Sequence, residues 1–220
     1  LIAGHGAALS LRLGVKAVSV APAPQVQPVV ALVPKQPADA VAIIGMSGAF
    51  PMANDLDMFW RNLVEGRDAI GEVPPDRWDW KAYWGDPAKE PGRTNVKWGG
   101  FMENVAEFDA AFFGISPPEA RAMDPQQRLL LTQAWRALED AAIAPRSLAG
   151  SNTGVFIGIA DTGYSRLMAQ AGASLEGYVM TGLAPSLGPN RISHFLNLHG
   201  PSVAVETACS SSLVAVSRAV

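Results

Sequence analysis

Two short apolar runs in the second half of the chain do most to limit the folds that this sequence can adopt. Residues 153–160 read TGVFIGIA and residues 200–207 read GPSVAVET, and both have the length and β-branched character of buried strands. Between them, LGPNRISHFLN predicts a turn at Gly188-Pro189 and then a helix. A further run, VAIIG at 41–45, predicts another buried strand. Strands that alternate with helices indicate an α/β fold with a layered core.

A first helix is predicted between Asn54, which can cap it, and Gly66, which can end it. Its apolar residues recur with helical spacing and form one stripe, which predicts a face that packs in the core. The stripe consists of Leu56, Phe59, Trp60, Leu63 and Val64.

Two further helix starts lie in ISPPEARAMDPQQRLLLTQAWRALEDAAI. Ser116 and Asp124 each precede a proline, and Glu119 and Gln127 follow three residues after them, as in capping boxes. A proline inside one continuous helix would cost about 3 kcal/mol, so a break is predicted at Asp124. The second helix is predicted to present one apolar face, made of Leu131, Trp135, Leu138 and Ala142.

The chain divides into three parts by composition. Prolines punctuate small and β-branched residues over 15–38, which predicts an extended, semi-rigid linker. Residues 1–14 are then the tail of an upstream region, with spacing that suits a strand and alanines that suit a helix. Residues 39–220 are expected to form the compact domain.

Composition excludes several classes of function. The net charge of -3, with a pI near 5.6, argues against a nucleic-acid surface. A single cysteine excludes an internal disulfide and a cysteine-based zinc site, and His5, His194 and His199 lack metal-ligand spacing, so no metal is expected. The sequence has no apolar run long enough for a membrane span, and its start lacks the basic residues of a signal peptide. A cytoplasmic protein is the expectation.

Two other features have a binding interpretation and a simpler one. Gly45 and Gly48 could belong to a nucleotide loop, but their spacing fits neither the dinucleotide nor the Walker pattern, so a tight turn is predicted. Four tryptophans between residues 71 and 100 could form a stacking platform, whereas packing within a long surface loop explains them equally well. They are Trp78, Trp80, Trp84 and Trp98.

The only cysteine, Cys209, stands between a predicted strand and a predicted helix in VETACSSSLVAV. Small neighbours on such a turn suit an exposed nucleophile, although the G-x-S-x-G pattern of a nucleophile elbow is absent. The positive end of the helix dipole favours the thiolate, and a backbone amide at the turn could stabilise an oxyanion. Free cysteine is also among the most buried residue types. The residues alone leave a nucleophile and a packed core residue as alternatives.

The segment VETACSSSLVAV resembles the active-site segment of β-ketoacyl synthases, the condensing enzymes of polyketide and fatty acid synthesis. Other segments follow in the order expected of that family over residues 40–220. They are VAIIGMSGAFP, FWRNLVEGRDAI, RWDW, GGFMENVAEFDAAFFGISPPEARAMDPQQRLLL, NTGVFIGI and LGPNRISHFLNLHGPS.

The resemblance implies a thiolase-like layered α-β-α-β-α fold, of which this chain would be the amino-terminal half, and a homodimer. It implies that Cys209 accepts an acyl chain from the phosphopantetheine arm of an acyl carrier protein. A malonyl-type extender on a carrier would then lose CO2 and attack the Cys209 thioester. No cofactor is expected to bind directly. The neighbouring domains of a modular synthase are expected partners.

Further expectations also follow from the resemblance. Glu206, where the family usually has Asp, is similar to synthases served by separate acyltransferases. The GYVMTGLAPS segment would lie near the acyl tunnel, with Tyr178, Met180 and Thr181 as substrate contacts. The two supporting histidines of the family lie downstream of the cysteine, whereas His194 precedes it and is predicted to be packed or hydrogen-bonded. The chain is therefore expected to be a fragment that cannot complete a condensation alone.

Two alternative functions fit the same residues. One is a non-elongating ketosynthase that only holds or passes acyl chains on Cys209. The other is a catalytically silent docking module that keeps neighbouring domains together.

Overall fold

The computed structural model describes residues 40–172 and 177–220. The predictions for the tail at 1–14 and for the linker at 15–38 lie outside the described residues. Residues 41–220 belong to one compact unit.

Helices and short strands alternate along this unit, as expected for an α/β fold. The helices are α1 (Leu56–Val64), α2 (Pro117–Ala122), α3 (Pro125–Asp140), α4 (Tyr164–Gln170), α5 (Gly177–Leu183), α6 (Leu187–Phe195) and α7 (Ser211–Ala219). The strands are β1 (Ile70–Glu72), β2 (Trp98–Gly100), β3 (Val155–Gly158) and β4 (Ser202–Val205). Short 3-10 turns lie at Trp80–Tyr83, Pro145–Leu148 and Ala208–Ser210.

Strands β3 and β4 form a parallel pair, with Val155 opposite Ser202 and Gly158 opposite Val205. Parallel strands need a long crossover connection, which here contains α4, α5 and α6. The pair confirms the two strands predicted at 153–160 and 200–207, although each is only four residues long.

The side chains of β3 alternate between two helical layers. Val155 and Ile157 pack against the main apolar core, to which α3 and α6 contribute. At Gly158 the chain lies directly against the backbone of Ser211 and Ser212 in α7. Because successive strand residues point to opposite faces, α6 and α7 cover opposite faces of the pair. The layered arrangement expected from the sequence is therefore present around this pair.

The centre of the core is a cluster of four residues that are at most 9% exposed: Met123, Leu131, Ile192 and Leu196. Partly buried side chains from α3, α6, β3 and the loop before α2 surround this cluster, among them Leu138 and Phe195. The predicted face of α3 is confirmed at Leu131 and Leu138. Ala142 is wrong as a face residue, because the helix ends at Asp140 and Ala142 is exposed with φ +55°.

Both predicted helix starts in this region are confirmed. The Ser116 hydroxyl accepts a hydrogen bond from the Glu119 amide at 3.4 Å, and the Asp124 carboxylate accepts one from the Gln126 amide at 2.8 Å. Asp124 is extended, with ψ 134°, so the predicted break between α2 and α3 is also confirmed. Each proline lies in a first turn, where its missing amide hydrogen loses no helical bond.

The prediction for α1 is correct in place but wrong in its cap residue. Asp55, not Asn54, caps the helix, because Asp55 has the extended backbone of a cap and its carboxylate accepts from the Met58 amide at 2.7 Å. Gly66 follows the helix end with φ +62°, as expected of a stop residue.

The apolar stripe of α1 is not the core face that its spacing predicts. Trp60, Leu63 and Val64 are 65%, 56% and 68% exposed. Spacing shows that apolar residues share a face, but whether anything covers that face depends on tertiary contacts.

The strand predicted at VAIIG is wrong for this structure. Val41, Ile43 and Ile44 are 66%, 81% and 69% exposed, and no described strand pairs with the segment. A strand needs hydrogen-bonding neighbours. Here it is the end of the segment that approaches another element: Gly45 lies against Ala137 and Ala141, and the Met46 amide that follows donates to Asp140 at 2.8 Å.

The turn predicted at Gly188-Pro189 is also wrong, because both residues lie in the first turn of α6, which begins at Leu187. A proline is compatible with a first turn, since the amides there have no partner within the helix.

The tryptophan-rich region is bounded by a separate antiparallel pair of strands, β1 and β2, and most of its tryptophans lie in the loop between them. The Lys97 ammonium lies 4.7 Å from the ring centre of Trp80, 4.8 Å from that of Trp98 and 5.8 Å from that of Trp84. It also pairs with Glu72 at 2.6 Å. Three of the four tryptophans therefore pack around a cation of the same chain, which favours packing over a stacking platform.

Candidate active site

The chain leaves β4 at Val205 and turns sharply before α7, and Cys209 lies on that turn. Ala208 has φ +51°, a left-handed conformation that is uncommon for residues other than glycine. A short 3-10 turn from Ala208 to Ser210 leads directly into the helix. The strand, turn and helix predicted around Cys209 are therefore confirmed, and a left-handed residue immediately precedes the cysteine.

Cys209 is exposed and forms no disulfide. The alternative of a cysteine packed in the core is therefore wrong. It lies at the amino end of α7, where first-turn amides have no helical partner and the helix dipole is positive. Such a position can stabilise a thiolate or an oxyanion that forms beside it.

The turn is held by the hydroxyl groups of the two serines that follow the cysteine. The Ser211 hydroxyl accepts a hydrogen bond from the Thr207 amide at 2.9 Å and donates one to the Ala208 carbonyl at 2.7 Å. The Ser210 hydroxyl donates to the Thr207 carbonyl at 2.9 Å. Ser211 is buried, whereas Ser210 is exposed.

A groove of about 880 Å³ lies beside α5 and α6. Tyr178 and Thr181, two of the predicted substrate contacts, line it together with several phenylalanines. Met180, the third, is 76% exposed and does not line the groove. Cys209 is not a lining residue either, so the structure does not bring the predicted contacts and the nucleophile into one cavity.

The predicted packing of His194 is wrong, because this residue on α6 is exposed and lines the groove. His199 is exposed as well. Within residues 40–172 and 177–220, no histidine, cysteine, aspartate and glutamate side chains gather into a group that could hold a metal ion. None of the helices described there has the length and apolar character that crossing a bilayer requires.

A largely buried polar network next to α5 was not predicted from the sequence. The Arg191 guanidinium pairs with Glu119 at 2.6 Å and donates to the Gln127 side-chain oxygen at 2.8 Å. The Gln127 amide nitrogen donates to the carbonyls of Ala184 at 3.1 Å and Thr181 at 3.4 Å. The network therefore connects α2, α3 and α6 to α5, which lines the groove.

The side chains of Glu119 and Gln127 were predicted to close capping boxes. Both side chains accept hydrogen bonds from Arg191 instead. Of each capping box, only the hydrogen bond to the Ser116 or Asp124 side chain therefore forms. The one signal in the sequence was the arginine in a predicted helix, which by itself does not identify its partners.

Residues 38–220 match the protein family described as "Beta-ketoacyl synthase, N-terminal domain". The chain is 58% identical over 182 residues to polyketide synthase PksN of Bacillus subtilis and 47% identical over 178 residues to polyketide synthase ThaG of Burkholderia thailandensis. These matches cover 83% and 81% of the chain but only 3% of either relative.

Solved structures give the same result. The oxazolomycin ketosynthase domain OzmH KS7 of Streptomyces albus matches with a TM-score of 0.70 and 42% identity, over 80% of this chain and 31% of that one. The ketosynthase from module 6 of the bacillaene synthase of Bacillus subtilis matches with a TM-score of 0.68 and 39% identity, over 81% and 28%. The α/β unit therefore has the thiolase-like fold of ketosynthases, and the chain belongs to the β-ketoacyl synthase family, as the amino-terminal domain of a polyketide synthase ketosynthase.

Proposed function

We propose that this domain elongates an acyl chain in a polyketide assembly line, with Cys209 as the acyl-carrying nucleophile. The observation that carries the proposal is the exposed cysteine on a strained turn at the amino end of α7, in a chain of the ketosynthase family. A thiolate at that position is accessible to an incoming thioester, and the helix end stabilises the charge that develops during attack.

The reaction has two steps. In the first, the Cys209 sulfur attacks the thioester of an acyl chain on the phosphopantetheine arm of a carrier protein. A new carbon–sulfur bond forms, and the thiol of the arm leaves with a proton. In the second, a malonyl-type thioester loses CO2, and its enolate carbon attacks the Cys209 thioester. A carbon–carbon bond forms, the Cys209 carbon–sulfur bond breaks, and a β-ketoacyl thioester remains on the carrier.

The partners follow from this chemistry. Acyl carrier protein domains deliver both substrates through their phosphopantetheine arms, so the domain itself needs no bound cofactor. A second copy of the chain and the neighbouring synthase domains are further proposed partners, with residues 15–38 as the connection to an upstream region. Glu206 supports supply of the extender by a separate acyltransferase. Tyr178 and Thr181, which line the groove, remain proposed acyl contacts.

The first step is tested by incubating the full-length protein with a short acyl thioester of phosphopantetheine, digesting it and weighing the peptide that contains Cys209. We expect one acyl group on that peptide and none in the Cys209→Ala variant. The proposal fails if the wild-type peptide stays unmodified, or if the variant carries the same adduct.

The second step separates elongation from the two alternative functions. After acylation, a malonyl-carrier thioester is added, and the carrier is examined for a β-ketoacyl group. Product formation supports elongation. Acylation without product would instead favour a ketosynthase that only holds or passes chains. The absence of acylation would favour a docking module.

A further inference from the structure

The left-handed residue before the nucleophile needs an explanation, because alanine does not favour that conformation. Ala208 has φ +51°, where its β carbon crowds the backbone. A residue persists in such a conformation only when surrounding contacts hold it there. The conformation of Ala208 directs the backbone that carries Cys209, so whatever holds Ala208 also orients the cysteine.

The Ser211 hydroxyl bonds to the backbone on both sides of the Ala208 α carbon. It accepts from the Thr207 amide at 2.9 Å, before Ala208, and donates to the Ala208 carbonyl at 2.7 Å, after it. The Ser211 backbone amide donates to the same carbonyl. Ser211 is only 8% exposed, so water competes little for these hydrogen bonds. The side chain therefore closes a small ring around the strained residue.

The backbone of Ser211 is itself fixed by the parallel pair of strands. A β carbon on Gly158, the last residue of β3, would lie 2.9 Å from the Ser211 carbonyl carbon and 2.8 Å from the Ser212 nitrogen. The first turn of α7 thus lies directly on the strand. A hydroxyl on a backbone that cannot shift is a rigid anchor for the turn in front of it.

We propose that Ser211 is a positioning residue, whose hydroxyl holds Ala208 in its left-handed conformation and thereby fixes the Cys209 sulfur for attack. The inference rests on the proposed function of Cys209. Ser211 is 8% exposed and its hydroxyl bonds within the turn, so we expect it to act on the rate of attack and not on substrate binding. Loss of the hydroxyl would let the turn relax and would leave the Thr207 amide without this partner.

The test compares three single variants in the full-length protein: Ser211→Ala, Ser212→Ala and Ser193→Ala. Ser212 neighbours Ser211 in α7, but its side chain is exposed. The Ser193 hydroxyl donates to Ser202 at 3.0 Å in a partly buried hydrogen bond between α6 and β4, so its variant controls for the general loss of such a bond. Acylation by a short acyl-phosphopantetheine thioester is followed over a range of concentrations.

For Ser211→Ala we expect a rate constant of acylation at saturation at least tenfold below wild type, with a half-saturating concentration within twofold of it. Ser212→Ala and Ser193→Ala should stay within twofold on both measures. The inference is overturned if Ser211→Ala acylates within twofold of wild type, if Ser193→Ala slows equally, or if only the half-saturating concentration changes.

A second readout separates this inference from the proposed function. Alkylation of Cys209 by iodoacetamide needs no acyl substrate, and we expect Ser211→Ala to change its rate at least threefold while the two controls do not. If the wild-type protein is never acylated, the proposed function fails. The alkylation rates then decide the inference alone, and equal rates for wild type and Ser211→Ala would overturn it.

Discussion

The two strand pairs of this domain are held in place by different forces. The parallel pair β3–β4 lies between helices on both faces, and at Gly158 backbone meets backbone without an intervening side chain. The strands of the antiparallel pair β1–β2 are three residues long and exposed at both ends. The Lys97 ammonium lies among indole rings and connects this pair to the loop between β1 and β2. The first depends on close packing and the second on side-chain contacts near the surface. Comparable substitutions should therefore lower the opening free energy more near β3–β4, because neither water nor rotation of a side chain can compensate there.

The largest expected effect comes from the polar network around Arg191 of α6, the helix that packs against β3. Arg191→Ala leaves Glu119, whose side chain is 23% exposed, and the buried Gln127 without their shared partner. We expect a loss of about 2–3 kcal/mol in the opening free energy of α5 and α6, since breaking a largely buried pair strands a charge. Hydrogen exchange of peptides from these helices measures this free energy.

The control is Arg67→Ala, near the start of β1, which breaks an exposed pair with Glu65. Exposed pairs contribute about 0.2–1 kcal/mol, so exchange near Arg67 should change little. Equal losses for the two variants would contradict the difference drawn between the two regions.

A matched pair of glycines gives the next effect. Gly158→Ala in β3 would push a β carbon to within 3.0 Å of the α7 backbone, whereas Gly71→Ala in β1 meets nothing within 4 Å. We expect the first variant to lower the opening free energy of β3 and α7 by about 2 kcal/mol, as overpacking does, and the second to leave β1 nearly unchanged. Hydrogen exchange of both strands checks this. An unchanged β3 in Gly158→Ala would show that α7 can move away.

The smallest effect is expected in the tryptophan-rich region. Lys97→Met keeps an apolar side chain of similar length but removes the cation from the indole rings and from Glu72. We expect a loss of about 1 kcal/mol, measured by hydrogen exchange in β1 and β2. Lys89→Met is the control, because the Lys89 side chain is 80% exposed and its ion pair with Asp86 lies at the surface. A loss above that of Gly158→Ala would reverse the order of the two regions.

The helix starts at Ser116 and Asp124 and the turn at Cys209 were predicted correctly, because each depends on residues close together in the sequence. Ser116 and Asp124 cap their helices as predicted, because a cap is decided within four residues. The turn at Cys209 was predicted for the same reason. The left-handed Ala208 was not, because its conformation depends on Ser211 and on the contact of α7 with β3.

The errors about packing have one physical source, which is that a sequence pattern does not identify the residues it will contact. VAIIG has the composition of a strand, but no described strand lies beside it. Trp60, Leu63 and Val64 share a face of α1 and each is more than half exposed. Arg191 finds its partners 64 and 72 residues earlier in the chain, at a distance that local spacing cannot reveal.

Gln127, which is 1% exposed, makes the helix beside the groove sensitive to a change of one atom. Its oxygen faces the Arg191 guanidinium, and its nitrogen faces the carbonyls of Thr181 and Ala184. Deamidation would turn that nitrogen into an oxygen and set it against two other oxygens. A repulsion would replace two attractions, and α5 would be driven away from α3 although no carbon atom had been added or removed.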